Sequence, residues 1–290
     1  MKFRTEITIK DAPQNLSPER LVLLAGSCFS DNIGSRLTNA GWPAVVNPCG
    51  VIYNPVSMAL LFRLALLNPA TRREVVASAL TRRDGKWASW FMGKKALAGS
   101  EEECIDLACE ALDALQQGVE KADAIILTFG TSDVWLLAGT DRAVGNCHKH
   151  PDSEFNKRRV SVEETVSAWK EIVEFIRERN PEVNIILTVS PRRYLSEGFA
   201  ENSRQKAVLI LACERLCREL EKTWYFPAYE ILNDDLRDYR FYSSDLIHPS
   251  EEAVEYIWEK FTETFLDEPS MTLLRKMEKE ARRRRHIPIN

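Results

Sequence analysis

No apolar run in this sequence reaches the ~18 residues that a membrane-spanning helix needs, so no membrane partner is expected. Met1 to Lys10 alternates charged and apolar residues without a continuous apolar core, and no signal peptide is expected there. CxxC pairs are absent, which argues against structural zinc. The GxSxG elbow, the P-loop and the GxGxxG fingerprint are absent as well. Charge of one sign is also missing. The 39 Lys and Arg nearly balance the 43 Asp and Glu, leaving a formal net charge of -4 over 290 residues. That mild acidity gives no global attraction to nucleic acid or anionic lipid. Histidine is scarce, with four residues, which makes each one a candidate to weigh. Cysteine is present but odd in number, seven in all, and scattered. Reduced thiols and a cytoplasmic location are the expectation.

What is present is an ordinary globular composition, 44% apolar and 28% charged. A chain of this length buries roughly 75% of its unfolded surface, and length alone allows about two domains. Short apolar runs recur at Leu21 to Gly26, Ala44 to Asn47, Ala124 to Gly130 and Asn184 to Ser190, with a weaker one at Thr223 to Ala228. Runs apolar on both faces suit parallel strands covered by helices on both sides. Helices with readable caps lie between them. Asn54-Pro55 opens a stretch to Leu67. Ser100 with Glu103 and Ser161 with Glu164 form capping boxes, Asn202 with Gln205 starts another helix ending near Glu221, and Ser250 precedes Glu251 and Glu252. The alternation predicts a three-layer αβα sandwich with a parallel sheet of about five strands. It places one α/β domain at 1–270 and a charged helix or tail at 271–290. Two stretches, 69–99 and 131–160, read as long irregular segments of the functional kind. The Arg282 to Arg285 tetrad reads as a solvated helix end, so no nucleic-acid partner is expected.

In an open parallel sheet, ligands bind beyond the carboxyl ends of the strands. Gly26-Ser27-Cys28, Pro48-Cys49-Gly50, Gly130-Thr131-Ser132-Asp133 and Ser190-Pro191-Arg192-Arg193 leave those ends, and Asp245-Leu246-Ile247-His248 precedes the last helix of the core. Together they hold a thiol, hydroxyls, glycine turns, a carboxylate and an imidazole, the parts of an acyl-transfer site. Cys28 at a helix start would gain thiolate character. Ser27 is the alternative nucleophile, or a cap. His248 alone among the histidines has an acidic residue three positions before it. Asp245 could hold one ring nitrogen and leave the other to the site. Gly50 could present a backbone N–H to an oxyanion, and Thr131 and Ser132 could add donors. Cys147-His148-Lys149-His150 lacks a second ligand pair, so it reads as a substrate loop or structural element and no metal is expected.

Gly26-Ser27-Cys28-Phe29-Ser30 resembles the signature of the bacterial GSCFA family. The likeness runs on through Asn47-Pro48-Cys49-Gly50, Phe129-Gly130-Thr131, Asn146-Cys147-His148-Lys149, Ser190-Pro191-Arg192 and Asn202-Ser203 with Lys206. It closes with Tyr225 to Glu230, Asp238 to Tyr242 and His248-Pro249-Ser250. That family looks like a branch of the SGNH/GDSL hydrolases. The resemblance implies a flavodoxin-like sheet and a Cys28 (or Ser27), His248 and Asp245 triad, with Gly50 among the oxyanion donors. The expected Asn donor falls on Ser132, so Thr131, Ser132, Asn54 or Asn146 would have to serve. The fifth signature residue is Ser30 rather than Ala, and no histidine follows Trp87 within 88–99. The implied activity is hydrolysis or transfer of an acyl group on a small-molecule or glycan substrate. No cofactor is expected, with acetyl-CoA a candidate acyl donor. The alternatives are a non-catalytic module that binds a ligand in the same cleft and, last, an RNA-associated protein.

Overall fold

The computed structural model describes residues 4–9 and 12–285. His286 and the last positions of the expected tail lie outside the described residues. Five strands build the central sheet: β1 (Val22–Gly26), β2 (Ala44–Val46), β5 (Ala124–Phe129), β9 (Asn184–Val189) and β10 (Thr223–Phe226). They lie in the order β10-β9-β5-β1-β2, and every pairing is parallel. This is the 2-1-3-4-5 order of flavodoxin-like sheets, so the strand order reverses between β1 and β5.

Successive strand residues point to opposite faces, and both faces are apolar. Leu23, Ala25, Ile125, Leu127, Ile185 and Leu187 face one helix layer. That layer contains α2 (Pro55–Ala65), α4 (Glu101–Lys121), α5 (Val162–Arg179) and α6 (Phe199–Glu219). Val22, Leu24, Ala124, Ile126 and Ile186 face the other. There lie α1 (Cys28–Ala40), α8 (Glu251–Phe265) and α9 (Glu268–Arg285). Leu274 of α9 is buried in this second core, so the charged C-terminal helix docks by its first turns. Among the described residues no helix is long and apolar enough to cross a membrane.

The caps act as their residue types require. The Ser161 hydroxyl accepts from the Glu164 N–H at 3.0 Å, and the Glu164 carboxylate accepts from the Ser161 N–H at 2.9 Å. Ser161→Ala should lower the stability of the fold by about 1 kcal/mol, read as a lower midpoint of urea unfolding at unchanged slope; no shift would mean the box is idle. Asn202 is a correction. α6 starts earlier, at Phe199, behind Gly198 with φ 87°. The Asn202 side chain accepts instead from the Tyr194 N–H at 2.8 Å, and Gln205 turns to Thr131 and Asp133. Both are engaged across the fold rather than in a cap.

The stretches 69–99 and 131–160 are also corrected, since both carry regular structure. The first holds α3 (Pro69–Ala77) and the hairpin of β3 (Leu80–Arg83) with β4 (Lys86–Ser89). The hairpin turns on Asp84 and Gly85, both with positive φ (49° and 74°), as a two-residue type I′ loop needs. The second holds an antiparallel sheet of β6 (Asp133–Leu137), β7 (Ala143–Val144) and β8 (Phe155–Arg159). β7 is two residues long and β8 mostly polar; β6 alone carries a continuous apolar run, Val134 to Leu137. Between β10 and α8 the chain forms one turn, α7 (Ala228–Glu230), continued by a π-helical turn at Ile231–Leu236.

Candidate active site

β1 delivers Gly26-Ser27-Cys28 to the switch point between β1 and β5. Ser27 is fully enclosed, 0% exposed. Its hydroxyl caps α1 by accepting from the Phe29 N–H at 3.2 Å, and its own N–H donates to the Thr128 carbonyl at 3.1 Å. Cys28 is the first residue of α1 and is half-buried. Burial pushes its thiol above the ordinary value; the Arg192 charge opposes this, Asp31 adds to it, and Lys206 also opposes it. The helix N-terminus, which favours thiolate, does not overcome burial here.

Asp245 and His248 sit in a tight turn in which Leu246 adopts a left-handed φ of 56°. One Asp245 oxygen accepts from the His248 and Ile247 N–H groups at 3.0 and 2.9 Å. The other lies 2.6 Å from His248 Nδ1. These bonds, with the His248 N–H first, hold the Asp245 carboxyl well below the usual carboxylate range. An ionised carboxylate can only accept, so it selects the tautomer with hydrogen on Nδ1 and leaves Nε2 an acceptor. Arg192 Nε–H donates to that Nε2 at 2.8 Å. Among the described residues no hydrogen bond joins His248 to Cys28. Arg192 occupies the Nε2 of His248, and its charge also opposes the rise of the Cys28 pKa.

The expected oxyanion donors fare unequally. The Gly50 N–H already donates to the Asn47 carbonyl at 2.8 Å, closing a turn in which Gly50 has φ 80° and its backbone lies against Gly93. Gly50 therefore shapes the rim without offering its N–H, a correction to the donor role expected of it. Asn54 caps α2 instead: its Oδ1 accepts from the Ser57 N–H at 2.8 Å and its Nδ2 donates to the Ser57 hydroxyl at 3.0 Å. Ser132 is 0% exposed, with a hydroxyl that meets no partner among the described residues. The Thr131 hydroxyl donates to Gln205 Oε1 at 2.8 Å. Asn146 lines the cleft, and its Oδ1 accepts from the His148 N–H at 2.8 Å.

His148 lies outside the cluster. Its Nε2 is 2.9 Å from the Ser89 carbonyl, and burial lowers its pKa. His150 bonds Thr81 and Glu154 at 3.0 and 2.8 Å and packs on Trp90. The Cys147 to His150 run thus fastens the β7–β8 connection to the β3–β4 hairpin. Among the described residues no group of three or more His, Cys, Asp or Glu side chains is placed to hold a metal ion.

The structure adds residues to which the sequence reading gave no role. A cleft of about 260 Å³ opens beside the switch point, lined by Tyr53, Asn54, Thr131, Trp135, Asn146, Cys147, Lys157, Tyr194 and Gln205 among others. Trp135 and Lys157 come from the small antiparallel sheet that the sequence left as loop. Tyr53 and Tyr194 meet edge to face at 5.9 Å, and the Arg192 guanidinium lies 4.5 Å from the Tyr194 ring centre. Beneath them Lys206, 1% exposed, donates to the Gly130 and Ser190 carbonyls at 2.7 Å each. It ties the ends of β5 and β9 together, and burial depresses its pKa strongly. Arg192 follows strand β9 at a rim position and lies within the shared Ser190-Pro191-Arg192 motif. Lys206 had only its place in the shared motif.

A model of the GSCFA family matches residues 21–261. No curated protein matches the chain. Among solved structures, a carbohydrate esterase family 3 protein from Talaromyces cellulolyticus is 9% identical with a TM-score of 0.40, over 89% of this chain and 99% of that one. A family 3 carbohydrate esterase from Clostridium thermocellum is 11% identical with a TM-score of 0.37, over 90% and 99%. A carbohydrate esterase family 2 enzyme plus carbohydrate binding domain from Corynascus thermopiles (Myceliophthora fergusii) is 12% identical with a TM-score of 0.41, over 87% and 67%.

Proposed function

The chain belongs to the GSCFA family, and from that premise we propose that it is an acyl-ester hydrolase or acyltransferase working through Cys28, His248 and Asp245. One observation carries the reading. Asp245 holds His248 Nδ1 at 2.6 Å and leaves Nε2 an acceptor, on the rim where α1 presents Cys28. A base in that tautomer can take the thiol proton as Cys28 Sγ attacks an acyl carbonyl. It can then return the proton to the departing oxygen as the acyl-cysteine thioester forms. Water, or the hydroxyl of an acceptor, would attack the thioester with His248 again as base. The first route is hydrolysis and the second transfer.

The chemistry needs no cofactor, and acetyl-CoA would enter as a substrate, leaving as its thiol. The cleft mixes the rings of Tyr53, Tyr194 and Trp135 with amide and hydroxyl groups. That make-up receives a small acyl group or the sugar that carries it. Seven unpaired cysteines fit a reducing, cytoplasmic setting. The Arg192 hydrogen bond on Nε2 is the one feature favouring the second reading, a module that binds ligand without turning it over.

The test is intact-mass and peptide mapping after exposure to an activated acetyl ester and, separately, to acetyl-CoA. One acetyl group on Cys28 is the expected result. Because burial raises the Cys28 pKa, the thiolate is a minor form at neutral pH. Attack therefore needs His248 as base, whereas direct alkylation of Cys28 by iodoacetamide, which depends on free thiolate, should still climb between pH 7 and roughly 9. An adduct on Ser27 would move the nucleophile. No adduct and no turnover would leave the binding module as the reading.

A further inference from the structure

An acyl-transfer site needs donors aimed at the oxygen that becomes negative in the transition state. Here most of the side chains and amides expected to supply them are engaged elsewhere, and Asn146 lines the cleft away from the dyad's Arg192. The Gly50 N–H closes its turn on Asn47, Asn54 caps α2, the Thr131 hydroxyl donates to Gln205, and Ser132 is sealed in. The charged side chain held against the dyad is Arg192, whose Nε–H donates to His248 Nε2 at 2.8 Å and whose charge also acts on the Cys28 thiol. Its backbone is fixed at the end of β9, where its N–H donates to the Ser190 hydroxyl at 3.3 Å. Its guanidinium rests on the Tyr194 ring at 4.5 Å and lies 5.9 Å from the Tyr53 ring centre; those two rings line the cleft, and Arg192, Cys28 and His248 lie behind them rather than in its lining. A guanidinium carries five N–H donors in a fixed plane, and only Nε–H is committed to His248.

Building on the acyl-transfer reading above, we propose that Arg192 is the side-chain donor of the oxyanion site. In the structure its Nε–H blocks the Nε2 that must receive the thiol proton, so both steps of its work are linked. As an acyl carbonyl enters between Cys28 and the rings, the guanidinium leaves His248 and turns its N–H groups to the carbonyl oxygen. The sulfur–carbon bond then forms while the S–H proton passes to His248 Nε2 and the carbonyl π pair moves onto oxygen. Arg192 holds that oxygen by donated hydrogen bonds and gives up no proton. When the carbon–oxygen double bond re-forms, the bond to the leaving oxygen breaks and that oxygen takes the proton from Nε2. The Cys28 N–H, in the first turn of α1, is the second donor. Arg192 thus stands in for the amide that Ser132 lacks, and at rest it keeps the base covered.

The test uses the full chain and a neutral substrate, 4-nitrophenyl acetate, which has no anionic group for an arginine to bind. Arg192→Met and Arg192→Lys are compared with the parent for kcat, KM, acetylation of Cys28 and alkylation of Cys28 by iodoacetamide. The expected result is a fall in kcat of roughly 10²- to 10³-fold for Arg192→Met. KM and thermal midpoint should change little, iodoacetamide should still label Cys28, and added guanidinium ion should restore part of the rate. Arg192→Lys should recover part of the loss. Acetylation of Arg192→Met at or above the parent rate would overturn the proposal and reduce Arg192 to a cover on His248. A rise in KM with kcat unchanged would overturn it as well. Failure of the parent itself to acetylate would instead strike at the acyl-transfer reading, so the two failures are told apart by the parent alone.

Discussion

Replacing His248 by alanine should lower kcat on an acyl ester by about 10³-fold or more, with KM nearly unchanged and the protein still folded. His248 is about two-fifths exposed and belongs to no core cluster, so stability is not the route of the loss. Cys28→Ala should cost at least as much, and the double variant should be no worse than the worse single one. Residues that act as one unit are non-additive because the second removal takes away something already idle. Asp245→Asn should be harmful too, since the new amide would donate to Nδ1 and drive the proton to Nε2. The pH profile separates these parts. The Asp245 carboxyl is held well below its ordinary value, so its partnership with His248 is present above the usual carboxylate range and fails only as pH falls far beneath it. Protonation of Asp245 should therefore not set the acid limb of the profile. Equal turnover by His248→Ala and parent on every acyl ester tried would remove the triad, whatever the fate of Arg192.

The second large effect is on folding. Gly26→Ala should destabilise the protein by about 3–5 kcal/mol, a large share of the ~5–15 kcal/mol that holds a domain together. Gly26 has φ 143°, where side chains are strained, and a Cβ there would lie 2.2 Å from the Thr128 carbonyl oxygen. That oxygen and the Gly26 backbone belong to the central β1–β5 pairing, in register Gly26 with Thr128. Three further bonds converge at this point. The Gly26 N–H donates to Asn47 Oδ1 at 2.8 Å, its carbonyl accepts from Ile52 at 3.0 Å, and the Ser27 N–H donates to Thr128. Making room for a methyl would part the two middle strands where Cys28 emerges. The expected readout is a much lower urea midpoint, or insoluble expression, with activity lost in step. A loss below about 1 kcal/mol would show that the strand end shifts freely and that the glycine serves flexibility instead.

The five strands of the sheet were legible because each is apolar on both faces, and only a parallel sheet covered on both sides needs such runs. Caps were legible where the bond is local, as at Ser161 and Ser250. Asn202 misled because its side chain answers Tyr194, eight residues back, and the helix begins before it. The β3–β4 hairpin had a readable signal in Asp84-Gly85 that its polar strands obscured. The sheet of β6, β7 and β8 offered one signal, the apolar run Val134 to Leu137, but its partner strands are too short or polar to read and gain apolar partners only on meeting Trp90.

By itself the sequence determined the layers, the rim and the Asp245–His248 pair. Each follows from energies that act over a few residues: periodic burial, helix capping and a carboxylate three positions from an imidazole. Tertiary structure alone decided which donors the rim offers. The Gly50 N–H is lost to Asn47, Ser132 is fully buried, and Arg192 reaches His248 across 56 positions of chain. A hydrogen-bonding group has a fixed number of donors, and what captures them is set by whichever partners folding brings near.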